Sequence, residues 1–593
     1  MSRDSLPLLT SNHGGNVERR FGARSTTISF EVVKTVLQSY GLTPDVEDPV
    51  LRQALRIIWP LDEVLAARVR SESVSLTDSA TSSEQIRFFQ GQRALRSYVK
   101  IARWVCEQHR DVRIHIDRAD LLDEPSREFL RVAAAVGRWE VRLCLGCDES
   151  VGAARVTEHV PKGREARLLH QLERLPEQPT EVWAAAFDYV NAGDAWTAIG
   201  IGRQLLAVEQ SPRVWNLLAL AHAMLGQSES AEFYYRRWAA DGGPIDEIRA
   251  SYGIAMLYAR HHRVGLRDLE KAADHLDRAF ALIVELPSSD QDDPAIVFES
   301  VFNRNGRALI LFRQGEVDRA LALLESGIER LTHTTEKVAI HRSVLMYNLA
   351  QCHRQLGDLD AAIRAYEQLL AVDPFMPEYH LEAARCLAAA GRPAAAVAAV
   401  EDALELDDTL PVAWGLLGLY RGELDEYGGA AEAYAEAATL DPDRQSYPLD
   451  RSYYLILAGD SEAALSQLST FEPLGAANHE RHATLMAEAL NRIGRRGHAL
   501  AVLEQAMLEQ PDSTVLRTNR ATLATARTGP DSGRSSWSSR SCSPRACGCR
   551  RWRSPCTLPT EGPWWPSGRV TRRWPSLADS PLRSVRSLTA SVG

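Results

Sequence analysis

Apolar and polar positions along most of this chain recur at the spacing of an amphipathic α-helix, in short runs that glycine and proline interrupt at regular intervals. The runs come in pairs, one ending at a Gly and the next opening on Ala a few residues later. Three consecutive units start at Ser343, Pro377 and Pro411, 34 residues apart. The first carries Leu349-Ala350, Gly357, Ala362, Tyr366 and Pro374. The third carries Trp414, Leu417-Gly418, Ala430, Tyr434, Ala437 and Pro442. The middle unit keeps Ala384, Gly391, Ala396 and Ala403 but has Asp408 where its neighbours have proline. Recurrence at a fixed period of this length predicts a stacked repeat architecture.

The landmark residues have separate physical tasks. Ala or Gly at the eighth and twentieth positions lets two antiparallel helices cross closely, and large residues at positions 4, 7, 11 and 24 fill the space around that crossing. Gly ends the first helix in a left-handed conformation, and Pro stops the second. Trp-x2-Leu-Gly followed by Ala-x3-Tyr-x2-Ala and Pro resembles the tetratricopeptide repeat family. The resemblance implies a mainly α fold, an α-α superhelix. Further units are marked by Trp215, Leu218, Gly226, Ala231 and Tyr235, by Gly459 and Ala464, and by Ala487, Gly494, Ala499 and Pro511; a weaker one surrounds Trp183 and Ala198. The stretch 246–342 keeps the helical period in longer units, including one at 301 with Gly315 and Ala320. These are similar to the variant repeats of kinesin light chains and of the sensor regions of bacterial signalling ATPases. The repeats are expected to occupy 180–526, with about nine units.

Ahead of them, 1–27 reads as a disordered N-terminus and 28–150 as a small α/β and helical head. Helices are predicted at 28–40, 49–70 and 86–109. The segment 112–146 then reads strand, loop, helix, strand: Val112, Ile114 and Ile116 end in Asp117; Leu121, Phe129, Leu130 and Val132 follow; Val141, Leu143 and Leu145 close it. The segment resembles the Walker B strand and next helix of signalling ATPases, which implies that Asp117 and Asp120 stand where such enzymes handle Mg²⁺. The chain has no G-x-x-x-x-G-K-[ST] loop, and Lys34, Lys100, Lys162, Lys271 and Lys337 all lie outside such a context. The head therefore reads as an ATPase-like remnant suited to docking or self-association. A nucleotide-dependent signalling switch, with the repeats as sensor, is the alternative reading.

Charge changes the picture of partners. The formal net charge is −10, with 68 Lys+Arg and 78 Asp+Glu. Residues 527–593 hold 12 Arg, no Lys and only Asp531, Glu561 and Asp579; subtracting 12 from 68 and 3 from 78 leaves 56 basic and 75 acidic residues, net −19, in 1–526. Such a body repels phosphate backbones, so nucleic acid is not expected as a partner, and neutral or basic protein surfaces are. No apolar run is long enough to span a membrane or serve as a signal peptide, so a cytoplasmic location is expected. The tail 527–593 lacks Lys, Ile, Phe, Tyr, Met, Asn, Gln and His, the composition that a GC-rich gene gives in a shifted frame; it reads as disordered or frameshifted.

Candidate chemistry is sparse. Cys144-Leu-Gly-Cys147 lacks a second ligand pair for zinc, and His261-His262 are neighbours that face different ways on a helix. No catalytic residue, cofactor or metal is expected, and the chain reads as no enzyme. A partner site follows from the resemblance: the first helices of such repeats line a concave groove. The groove residues it implies are Asn305, Tyr347, Asn348, Gln351, Arg354, Leu381 and Arg385, which suit an extended peptide. Asn305 and Asn348 echo the carboxylate clamp of chaperone-binding relatives, but Glu378 and Glu382 would repel that ligand. The segments FNRNG (302–306) and HRSVLMYN (341–348) resemble repeat proteins of high-GC actinobacteria. The function expected is a scaffold for protein or peptide partners, in a regulatory complex.

Overall fold

The computed structural model describes residues 19–23, 27–70, 90–137, 139–145, 160–291, 293–331 and 339–525. The 527–593 tail, Cys147 and most of 1–27 lie outside the described residues.

From Pro179 to Glu509 the described helices form nine antiparallel pairs, from Pro179–Ala192 with Ala195–Leu205 to Ala476–Arg492 with Arg496–Glu509; Thr514–Thr525 packs against the last. The fold is the mainly α superhelix that the spacing predicts. Close crossing explains it. Ala350, Ala384, Ala362, Ala396, Ala430, Ala464, Ala487 and Ala499 have no exposed surface. At Gly418 a Cβ would stand 2.6 Å from the Tyr434 ring of the paired helix, so even one methyl group would force the helices apart. The long units arise from long first helices, Pro294–Gln314 with 21 residues and Ala339–Leu356 with 18. Pro244–Met256 has the ordinary 13 residues but runs on into a π-helical turn, Leu257–His261.

Helix ends follow the residues that can cap them. Asp194, Asp358 and Asp460 open second helices, each accepting a backbone N–H three residues on at 3.0, 3.0 and 3.1 Å. First helices end on a left-handed residue, Gly391 (φ 76°) or Gly459 (φ 94°); midway between them Asp425 takes the same conformation at φ 64°. An L side chain is strained there.

The head holds a three-stranded parallel sheet among the described residues: β1 (Arg19–Gly22), β2 (Arg113–Asp117) and β3 (Glu140–Leu143), in that order. Helix Glu124–Val136 joins β2 to β3. β1 corrects the expectation of a structureless 1–27. Its four residues, RRFG, are too short to show alternation, and Arg19 finds its partner at Ile114. The helix expected over 49–70 is two, Pro49–Leu55 and Glu63–Arg70, because Pro60 cannot donate within a continuous helix. Phe21, Tyr98, Ile114, Ile116, Phe129, Leu130 and Trp139 share one core.

The head is seated on the first repeat. Ser29 N–H donates to Thr197 Oγ1 at 2.9 Å, and that hydroxyl donates to Asp194 Oδ2 at 2.6 Å. The Phe30 ring meets Trp196 edge-on at 6.0 Å, and the buried Lys34 pairs with Glu165. Burial pushes the Asp194 carboxyl up to about 6, against its hydrogen bonds from Thr197.

A folded-state acid held above its unfolded value binds more protons than the unfolded chain, so its contribution is present below about pH 4 and is lost as pH rises through about 6. Asp194→Asn keeps the cap acceptor and removes the ionisation; it should flatten the pH dependence of the urea midpoint between pH 4 and pH 7, with a difference of up to about 3 kcal/mol. Gly391→Ala should lose about 1 kcal/mol, whereas Asp425→Gly should gain about 0.5 kcal/mol in the same measurement. Equal midpoints for Gly391→Ala and the native chain would show that the left-handed end is not required.

Candidate protein-binding groove

The first helices of three neighbouring repeats carry a continuous polar seam. Asn348 Nδ2 donates to Asn305 Oδ1 at 2.7 Å, tying Ala339–Leu356 to Pro294–Gln314. One turn on, Gln351 Nε2 donates to Tyr366 Oη at 2.5 Å and to Glu382 Oε2 at 3.0 Å, reaching Pro377–Ala389. Arg354 Nη2 donates to Gln351 Oε1 at 2.7 Å and lies 3.9 Å from Glu382 Oε2. Arg385 Nε lies 3.4 Å from Glu382 Oε1. Glu382 is thus gripped by two guanidinium groups and an amide.

Burial sorts the seven groove residues. Tyr347 and Leu381 are 1% and 5% exposed and lie in the packing between repeats, not on the groove wall; this corrects their expected place. The reason is local: Tyr347 meets Tyr366 edge-on and Tyr379 at a tilt, at 6.0 and 5.7 Å between ring centroids, while Leu381 joins the core of the next repeat. Asn305 and Gln351 are buried as well, at 6% and 2%, and spend their amides on the seam. The side chains of Arg354 and Arg385 keep 21% and 12% of their surface, and Asn348 is half-buried. Burial, then the Glu382 charge, holds the Tyr347 phenol well above its ordinary range, and its hydroxyl has no hydrogen-bond partner among the described residues. Burial pushes the Cys386 thiol beside them up to about 12, so it is a core residue and no nucleophile.

Position-by-position reading of the repeat missed the part played by Glu382. Its signal was Arg385 three residues later on the same helix face, a pair that a helix brings together. Glu382 also does not stand as a repelling charge, since Arg354 and Arg385 neutralise it, and Glu378 is engaged elsewhere, 3.6 Å from Arg96.

The head offers a different surface. Asp117 accepts from Arg20 Nη2 at 2.9 Å and lies 3.3 Å from His115 Nε2. The helix Glu31–Ser39, which follows β1, begins with the buried Glu31 after a left-handed Phe30, under Trp196. An acidic, covered helix start of this kind repels phosphate. His262 faces Glu232 and Ser228, at 3.1 Å from each, while Arg260 Nε lies 2.9 Å from His261 Nε2. No group of three or more His, Cys, Asp or Glu side chains that could hold a metal converges among the described residues. No described helix is long and apolar enough to cross a membrane.

Glu382→Ala should leave Arg354 and Arg385 facing each other half-buried and lower stability by about 3 kcal/mol, read as a urea midpoint. Glu382→Gln should lose less. No difference between the two would mean that the carboxylate charge does not organise the seam.

Comparison with known proteins bears out the repeat. Residues 299–374 and 347–411 each match a family model described as tetratricopeptide repeat. No curated protein matches the chain. Similar solved structures include a tetratricopeptide repeat protein from Parabacteroides merdae, 15% identical, covering 47% of this chain and 99% of that one with a TM-score of 0.29. Another is the C-terminal part of a repeat-containing protein from Cytophaga hutchinsonii, 13% identical, covering 46% and 98% with a TM-score of 0.35. A third is MamA from Desulfovibrio magneticus, 17% identical, covering 28% and 91% with a TM-score of 0.26.

Proposed function

We propose that this chain is a scaffold that holds a protein or peptide partner along the polar seam of its inner helices, and that it catalyses no reaction. Tetratricopeptide repeats generally mediate protein–protein interactions, and the repeats matched over 299–411 include the whole seam. One observation carries the reading to particular residues. Arg354 and Arg385 are fixed by Glu382 yet keep part of their surface, so their donors are already ordered before a partner arrives. Preorganised guanidinium groups lose little further entropy on binding and suit the carbonyl and carboxylate groups of an extended segment. Asn348, on the same helix as Arg354, extends the line toward the preceding repeat through Asn305. We assign the contact to Asn348, Arg354 and Arg385, with Gln351 and Glu382 as the residues that position them, and Asn305, Tyr347 and Leu381 as support from below.

The test is selection of binding peptides from a displayed random library on the full chain, followed by fluorescence anisotropy. Arg354→Gln and Arg385→Gln, combined with Glu382→Gln so that no buried carboxylate is stranded, should weaken the selected peptides at least about tenfold, a difference of about 1.4 kcal/mol, while the far-ultraviolet spectrum and melting curve show the fold retained. Unchanged affinity in a folded triple variant would sink the assignment.

A further inference from the structure

The head touches the repeats at a second place, far along the chain from the first. Helix Gln90–Gln108 buries one face in the head core, through Ala94, Tyr98, Ile101, Ala102 and Val105. Its other face carries Arg96, Lys100 and Arg103, which a helix places in one row. That row meets a row of acids on two successive repeats. Arg96 Nη1 lies 3.6 Å from Glu378 Oε1 and 3.2 Å from Asp407 Oδ2; Lys100 Nζ lies 2.9 Å from Asp407 Oδ1. Arg103 lies 3.7 Å from Asp408 Oδ2 and 3.8 Å from Glu436 Oε2. With Ser29 and Phe30 seated on the first repeat, the one head grips the superhelix at both ends of the stretch from Trp196 to Glu436.

The composition of this contact is unlike that of the other. The seat on the first repeat includes aromatic and buried hydrogen-bonded groups. The second place is described by ion pairs that are graded in exposure: Asp407 keeps 12% of its side-chain surface and Lys100 17%, whereas at the edge Arg103 and Asp408 keep 28% and 57%. Exposed pairs hold weakly and yield to salt, whereas buried apolar seats do not. Asp408 stands where neighbouring units have Pro374 and Pro442, so the departure from the repeat supplies a charge at the contact.

We infer that Gln90–Gln108 is a detachable latch: it closes the superhelix by occupying the acidic row Glu378, Asp407, Asp408 and Glu436, and a competing basic helix releases it. Release leaves the head on its seat and frees the superhelix to change its pitch. Among the groups at this contact, burial raises the Asp407 carboxyl, and Arg96 and Lys100 outweigh it to hold it below the usual carboxylate range. A depressed acid contributes above about pH 4 and loses that contribution as pH falls through its folded value, so the latch stays closed at neutral pH and responds to ions or competitors.

The experiment uses the full chain and small-angle X-ray scattering. Arg96→Glu with Lys100→Glu and Arg103→Glu should enlarge the radius of gyration, as should 1 M salt on the native chain. Adding Asp407→Lys, Asp408→Lys and Glu436→Lys to the triple variant should restore the native radius, a rescue that a misfolded head would not show. A labelled peptide spanning Gln90–Gln108, with Cys106→Ser, should bind the triple variant at least tenfold more tightly than the native chain, whose acidic row is occupied. An unchanged radius in the triple variant, failure of the swap to restore it, or equal peptide binding to both proteins would each overturn the latch.

Discussion

Everything in this molecule rests on how closely two antiparallel helices can approach. Ala350 with Ala362, Ala384 with Ala396, and Gly418 with Ala430 mark successive crossings, and each is closed to solvent. A small side chain at the crossing brings larger ones at the rims into contact, which is where Tyr366, Tyr434 and their neighbours sit. Because every pair is built alike, the offset between pairs accumulates into curvature. Curvature in turn places polar residues of successive first helices side by side. Asn305, Asn348, Gln351 and Glu382 come from three helices, yet they pair across both junctions, Asn348 with Asn305 and Gln351 with Glu382.

That dependence explains what was legible in the sequence. The crossings are set by residue size at fixed spacing, so Gly391, Ala396 and their equivalents announced the fold without further information. The head was partly legible: β2, Glu124–Val136 and β3 fall within the segment 112–146, because each has an apolar pattern of its own. β1 was not, since the pairing of Arg19–Gly22 with residues 113–117 is decided by tertiary contact and not by anything in RRFG. The groove was legible only as a set of positions. Whether a residue at such a position is offered or buried depends on the next repeat, and Tyr379 from that repeat helps to close over Tyr347.

Charge shows the same division between local and distant causes. The acidic excess of 1–526 suggested a surface that repels anions, but net charge says little about where the cations go. Two kinds of placement matter. Arg354 and Arg385 sit in the seam and are held by a carboxylate that is itself buried. Arg96, Lys100 and Arg103 leave the head to meet acids hundreds of residues away. Pairing of the first kind preorganises a surface, because breaking it would strand a buried charge. Pairing of the second kind joins two bodies: desolvation of Asp407 offsets part of what Arg96 and Lys100 contribute, and the exposed Arg103 pairs at its edge are the easiest to break.

The two arrangements share the helix Pro377–Ala389. Glu378 faces the head's latch, and Glu382, one turn on, anchors the seam. Residues four apart on a helix lie on adjoining parts of its surface, so movement of this helix relative to its neighbours would be felt at both. A rigid helix carrying one carboxylate for the latch and one for the seam is a direct mechanical link between them. Opening the latch would free the Glu378 end first, while Arg354 and Gln351 still hold Glu382 to the preceding repeat. The seam would then bend about that anchor and not dissolve. On this reading the head does more than occupy space beside the repeats: its position sets the curvature along which Asn348, Arg354 and Arg385 are presented.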